Sequence, residues 1–202
     1  NNIYITGQTF GSLDGSNSGV NDIFLSKYNS DGDVQWTRQF GSAASDQGHG
    51  ITTDSSGNVY ITGRTEGTLS GNSSIGSTDA ILVKYNSSGT KQWSKQIGSS
   101  SNDYGESVTT DSSNNILITG YTHGDFDGNT SSGNIDVFLI KYNSSGTKQW
   151  SKQIGSSDHD YAYSVTADSY NNILITGYTK GNFDGKTNLD DSEDIFLVKY
   201  NS

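Results

Sequence analysis

The chain has 202 residues, a formal net charge of −10 and a pI near 4.4, with 25 glycines and no cysteine, methionine or proline. It therefore has no disulfide framework and no apolar run long enough to cross a bilayer as a helix. Its acidity opposes the basic footprint that nucleic acid or an anionic membrane surface requires, so no nucleic-acid partner and no membrane span are expected. Asn1 opens inside a repeat, without an initiator methionine or a signal peptide. The expectation is a segment of a longer protein whose targeting signal lies outside it.

Reading from the N-terminus, the chain repeats itself. Lys84 to Ser100 (KYNSSGTKQWSKQIGSS) recurs letter for letter from Lys141 to Ser157, and looser copies begin at Lys27 and Lys199. Trp36, Trp93 and Trp150 recur every 57 residues, as do Tyr28, Tyr85 and Tyr142. Such a period is the signature of a repeat architecture. The copies run approximately over 1–45, 46–102, 103–159 and 160–202, the first and last partial, and form one domain.

Each full copy contains four strand candidates. In the third they are Glu106 to Asp111, Ile116 to Tyr121, Asp136 to Tyr142 and Lys148 to Ile154. All are β-branched and aromatic runs bounded by Gly, Asn, Asp and Ser, and nothing carries helical periodicity. The third candidate is apolar on both faces (Phe138 and Ile140 on one, Val137 and Leu139 on the other), which predicts cover on both sides. Asp54, Asp111 and Asp168 open short turns closed by Gly57, Asn114 and Asn171, and Asn29, Asn86 and Asn143 open another set. Both sets are read as structural hairpin turns.

Repeated four-stranded antiparallel units covered on both faces predict an all-β fold, a β-propeller of about three and a half repeats. A linear β-solenoid is the alternative. The recurring Asp-x-Phe/Ile-Leu-x-Lys-Tyr-Asn-Ser-x-Gly, x-x-Trp and Thr-x-Asp-Ser-x-x-Asn-x-x-Ile-Thr-Gly segments resemble the bacterial seven-bladed β-propeller (SBBP) repeat family, and more distantly NHL-type propellers. The resemblance covers essentially the whole chain. It implies that the Ser-Val-Thr-Thr type strand is innermost and the Trp strand outermost. It also implies a bacterial secreted or cell-surface setting. A seven-bladed ring needs about twice this many blades. The expectation is an open arc, or half of a larger or dimeric ring, with self-association through open blade edges.

The copies differ mainly in two connections. Between the fourth and first strands they read SAASDQGHG, SSSNDYGES and SSDHDYAYS; the long loops between second and third strands differ as freely. In an up-and-down blade both emerge on one face, so diversity gathers there, as in a binding module on a rigid scaffold. Candidate binding residues on that face are His49, Glu106 and Tyr163, which are equivalent at the start of the innermost strand. Tyr104 and Tyr161 are equivalent to Gln47, and Tyr121 and Tyr178 are equivalent to Arg64. Aromatics beside Asp and Asn suit sugars, so a lectin-like module binding a cell-surface glycan stands beside a protein-binding scaffold.

Asp125, Asp127 and Asn129 imitate a calcium loop, but the Gly falls at the fourth position and the flanks are strands. Asp184 and Asp190 belong to the most acidic loop. These five are the candidate metal ligands, with calcium the only cofactor considered. His49, His123 and His159 sit at non-equivalent points without ligand spacing, no cysteine nucleophile exists, and no nucleophile-elbow sequence appears. The expectation is a non-catalytic interaction scaffold, with a fragment of a propeller hydrolase or lyase as the second alternative.

Overall fold

The computed structural model describes residues 2–15, 17–188 and 192–201, and every regular element among them is a β-strand. The first sheet holds β1 (Ile3–Thr9), β2 (Asp22–Tyr28) and β3 (Val34–Phe40). The second holds β4 (Asp46–Thr53), β5 (Val59–Thr65), β6 (Asp79–Tyr85) and β7 (Lys91–Ile97). The third holds β8 (Asp103–Thr110), β9 (Ile116–Thr122), β10 (Asp136–Tyr142) and β11 (Lys148–Ile154). The fourth holds β12 (Asp160–Ala167), β13 (Ile173–Thr179) and β14 (Asp194–Tyr200). Each sheet is an antiparallel meander in chain order, the form of a propeller blade. The apolar faces of the first and fourth sheets, at Ile3 and Ile5 and at Ile195 and Leu197, are exposed and not packed on each other, so the series stays open.

The innermost strand was placed too late by the sequence. In the third blade it begins at Asp103, three residues before Glu106, and ends at Thr110. The cause is a β-bulge. The register between β8 and β9 shifts between Gly105 and Ser107, which leaves Glu106 unpaired. His49 and Tyr163 are the corresponding residues of β4 and β12. A bulge breaks the two-residue alternation from which a strand is read, so the run before it looked like loop.

The bulge explains the recurring Thr-Gly pair opposite it. It pushes the carbonyl oxygen of Tyr104 toward Gly120, where any Cβ would collide with it; Gly63 and Gly177 meet the carbonyls of Gln47 and Tyr161 in the same way. The threonine beside each glycine spans the other strand gap. Thr62, Thr119 and Thr176 donate to the carbonyls of Ile81, Phe138 and Phe196 at 2.8, 2.8 and 2.9 Å.

The cores lie between blades. Ile23 and Leu25 of the first blade bury against Val59 and Ile61 of the second. Leu82 meets Ile116 and Ile118 of the third, and Val137 and Leu139 meet Ile173 and Ile175 of the fourth. Both faces of the third strand are thus covered in the two middle blades, as its two-sided apolar pattern requires. The innermost strands adjoin: Ser107 Oγ accepts from the Val165 amide, and Thr110 donates to the Thr53 carbonyl. At the outer rim the turn around Gly89 lies on the Trp36 ring and that around Gly146 on Trp93, each reaching the preceding blade's tryptophan.

The turns behave as their residues demand. Asp111 accepts from the Ser113 and Asn115 amides and from the Asn115 side chain at 2.8–2.9 Å. Asn114 takes the left-handed conformation (φ 59°) and bonds Ser55 of the preceding blade. Lys141 pairs with Asp111 at 3.2 Å where Leu117 follows the turn. In the second blade Tyr60 replaces that leucine; its hydroxyl donates to Asp54 and Lys84 lies over its ring.

The second glutamine of each Trp strand clamps the long loop. Gln153 accepts from the Phe126 amide and donates to the Gly124 carbonyl and to Asp136, at 2.8–3.0 Å. Gln153→Ala is expected to cost about 2 kcal/mol, because buried partners lose their bonds. Hydrogen exchange at the Phe126 amide should speed up first; unchanged protection there would contradict the clamp.

Candidate functional site

The two variable connections of each copy are stitched together on one face. The amides of Glu66, His123 and Lys180 donate to the carbonyls of Ser45, Asn102 and His159 at 2.9 Å. Parallel bridges Asn21–Ser45, Thr78–Asn102 and Ile135–His159 add a second stitch. The diversified residues therefore rest on a repeated hydrogen-bonded frame.

Beneath this frame the two inner strands of each blade present one cross-strand pair. The pairs are Gln47 with Arg64, Tyr104 with Tyr121, and Tyr161 with Tyr178. Neighbouring pairs touch across the blade gaps. The Arg64 guanidinium lies 5.0 Å from the Tyr104 ring centre, and Tyr121 meets Tyr161 edge-on at 4.8 Å. Tyr104 and Tyr121 stack at 4.7 Å, and Tyr161 and Tyr178 lie 4.8 Å apart. The result is one continuous row, Arg64–Tyr104–Tyr121–Tyr161–Tyr178, crossing three blades.

The bulged residues flank this row. Tyr163 lies parallel to Tyr161 at 6.4 Å and is 49% exposed. His49 Nδ1 lies 3.1 Å from a Glu106 carboxylate oxygen and 3.2 Å from the Gly105 carbonyl. A bulge re-aims a side chain, and here it turns all three equivalent residues toward one rim. All eight sequence-nominated binding residues fall in this neighbourhood.

Two residues were missed. His123 lies 5.9 Å from Tyr104 and 6.2 Å from Tyr121, and His159 lies 6.4 Å from Tyr161. The available signal was spacing: His123 follows Tyr121 by two, and His159 precedes Tyr161 by two, which is one face of an extended chain.

Burial raises the Tyr121 and Tyr161 hydroxyls above the ordinary phenol range. Burial, with the adjacent Tyr178 hydroxyl, pushes Tyr163 up to about 12. Loss of solvent around its ring, helped by His159, holds His123 below the usual imidazole value. At neutral pH Tyr121, Tyr161 and Tyr163 keep their hydroxyl protons, and beside the Arg64 guanidinium they offer ring contact and hydrogen bonding.

The acidic loop residues lie apart from this row. Asp125 accepts from the Ser131 amide at 2.8 Å, Asp127 pairs with Lys148, and the Asn129 side chain donates to the Phe126 carbonyl at 2.9 Å. Asp127 and Asp184 have φ of 54° and 48° and precede glycines, so each supplies the left-handed residue of a tight turn. Asp190 lies outside the described residues. Among those described, no three acidic, histidine or cysteine side chains converge as a metal site requires.

A family model described as a β-propeller repeat (SBBP) matches residues 35–69, 92–127 and 149–184, together more than half of the chain. The chain belongs to this family. Each SBBP match begins in or just before a Trp strand and ends in the second long loop that follows. The chain is 28% identical over 123 residues, half of its length, to an uncharacterized WD repeat-containing protein, L264, of Acanthamoeba polyphaga mimivirus. It is 23% identical over 154 residues, 69% of its length, to the regulatory protein FlaEY of Caulobacter vibrioides. These matches span 8% and 16% of the two relatives. A solved protein of unknown function from Bacteroides caccae superposes with a TM-score of 0.46 and 10% identity, over 77% of this chain and 48% of that one.

Proposed function

We propose that this SBBP segment is a non-catalytic interaction scaffold of a bacterial secreted or surface protein, holding a protein partner on its variable loop face. The observation that carries this reading is the row from Arg64 to Tyr178, built from equivalent cross-strand pairs of three adjacent blades. Tyrosine gives large, rigid, amphipathic contact at low entropic cost, which is why it dominates protein-recognition surfaces. The likeness to a WD repeat-containing protein fits an interaction role.

Ring geometry favours a protein over a sugar. Sugars stack on free ring faces, yet Tyr104 and Tyr121 lie within 19° of parallel at 4.7 Å and cover each other's faces. The test is a pair of screens with wild type and the Tyr104→Ala/Tyr161→Ala variant: a secreted-protein pull-down and a glycan array, the array run in calcium and again in chelator. The expected result is a protein retained by wild type and at least tenfold weaker with the variant, since removing such anchors costs about 2 kcal/mol. Reproducible binding of one sugar class, lost in the variant, would replace this reading with a lectin.

A further inference from the structure

The chain has two arginines, and the fold uses them differently. Arg38 is fully engaged: it donates to the Thr37 and Gly89 carbonyls and pairs with Asp14 at 3.5 Å. Arg64 lies in the tyrosine row, its guanidinium 5.0 Å from the Tyr104 ring centre. Among the described residues no carboxylate or carbonyl reaches that guanidinium, and its Nε is buried without an acceptor. The cross-strand neighbour Gln47 likewise makes no side-chain hydrogen bond among those residues. Buried donors normally have partners, so this pair of side chains carries unused capacity.

The capacity is specific to the second blade. Tyr121 and Tyr178 hold the equivalent position in the next two blades, where ring contact alone suffices. Arginine keeps that contact and adds a planar fork of donors. Stacking on Tyr104 occupies a face of the guanidinium and leaves the in-plane N–H groups to an acceptor, the geometry in which arginine grips a carboxylate with two parallel bonds. The chain's own acid at this rim is committed elsewhere: Glu106 faces His49 Nδ1 at 3.1 Å.

We propose that Arg64, with the Gln47 amide beside it, binds a carboxylate of the partner, an inference that rests on reading the row as a recognition surface. One fixed cation matches one carboxylate, either an acidic side chain or a chain terminus.

The test is a titration of the isotope-labelled chain with two probes, each to about 50 mM at fixed ionic strength, a range suited to one weak contact. N-acetylglutamate amide carries only a side-chain carboxylate, and N-acetylglycine only a terminal one. N-acetylglutamine amide is the neutral control. The arginine Nε–H resonances are read directly. That of Arg64 should move saturably with at least one carboxylate, and the probe acting at the lower concentration names the source. That of Arg38, already bonded to the Gly89 carbonyl, should stay still. Arg64→Lys keeps the charge but loses the fork, so shifts of the Tyr104 and Tyr121 amides should need at least about tenfold more probe. Arg64→Gln should abolish them, with the remaining amide spectrum showing that the strands persist. An Arg64 resonance that stays put, or that moves equally with the neutral control, would overturn the proposal, as would undiminished binding by Arg64→Gln. The scaffold reading fails separately. Carboxylate binding with no protein retained would remove the protein partner and leave this site, whereas a protein held equally by wild type and Arg64→Gln would remove the carboxylate anchor and leave the scaffold.

Discussion

Gly120→Ala is expected to destabilise the chain by about 4 kcal/mol, at the upper end for one added methyl group. The new Cβ meets the Tyr104 carbonyl oxygen, a backbone atom held in place by the bulge at Glu106 and by the pairing on either side. No rotamer relieves that collision, so either the β8–β9 ladder opens or the bulge is lost. Gly7 is the internal control. It occupies the same Thr-Gly position in the first blade, but its nearest neighbour would be the edge of the Phe24 ring at 2.9 Å, which can turn aside. Gly7→Ala should cost about 1 kcal/mol. Urea denaturation of both variants checks the comparison. Equal, small losses would mean that the bulge does not fix the glycine.

That contrast also shows where the sequence was legible. Three of the four strand types were readable because Ile116, Val137 and Trp150 sit in β-branched and aromatic runs bounded by Gly, Asn, Asp and Ser. The innermost strand was misplaced because Glu106, His49 and Tyr163 are bulged, and a bulge hides itself by ending the alternation. The site was half legible for the same reason. Comparison of copies picked out Tyr104, Tyr161 and Arg64 as variable positions. Only pairing across the blade gaps shows that Arg64 covers Tyr104 and that Tyr121 meets Tyr161. Asp125 and Asp127 point the other way: an acidic spacing that imitates a cation loop is engaged with Ser131 and Lys148.

The chain should be most stable near pH 5 and weaken as the pH rises through 6 to 7. The cause is a set of carboxylate pairs hidden at the blade joints. Asp79 and Asp103 face each other across Gly98, each with an oxygen 2.6 Å from where a Cβ on that glycine would sit. Both are at most 1% exposed. Burial raises Asp103 to about 6, with Asp79 adding to the rise and bonds from Thr122 and Ser99 opposing it. Asp46 and Asp160 are raised for the same reasons, beside Asp22 and Asp136. A carboxyl raised in the folded state binds its proton more tightly there than in the unfolded chain, where aspartate titrates near about 3.9. Its stabilisation is therefore complete below about pH 4 and is lost as the pH climbs through about 6. A shift of two units corresponds to about 3 kcal/mol. Asp54 and Asp111 work in the opposite sense. Burial opposes their ionisation, but bonds from Asn58 and Asn115 prevail and hold both below the usual range. Their contribution is present above pH 4 and lost as the pH falls, which sets the acid limb. Urea midpoints from about pH 3.5 to 8 at fixed ionic strength should trace this maximum. Asp103→Asn removes one titrating group while keeping an oxygen to accept the Ser99 amide, so it should flatten the slope between pH 5 and 7. A stability that keeps rising through pH 7, or an Asp103→Asn slope equal to wild type, would show that these pairs stay ionised and are neutralised in another way.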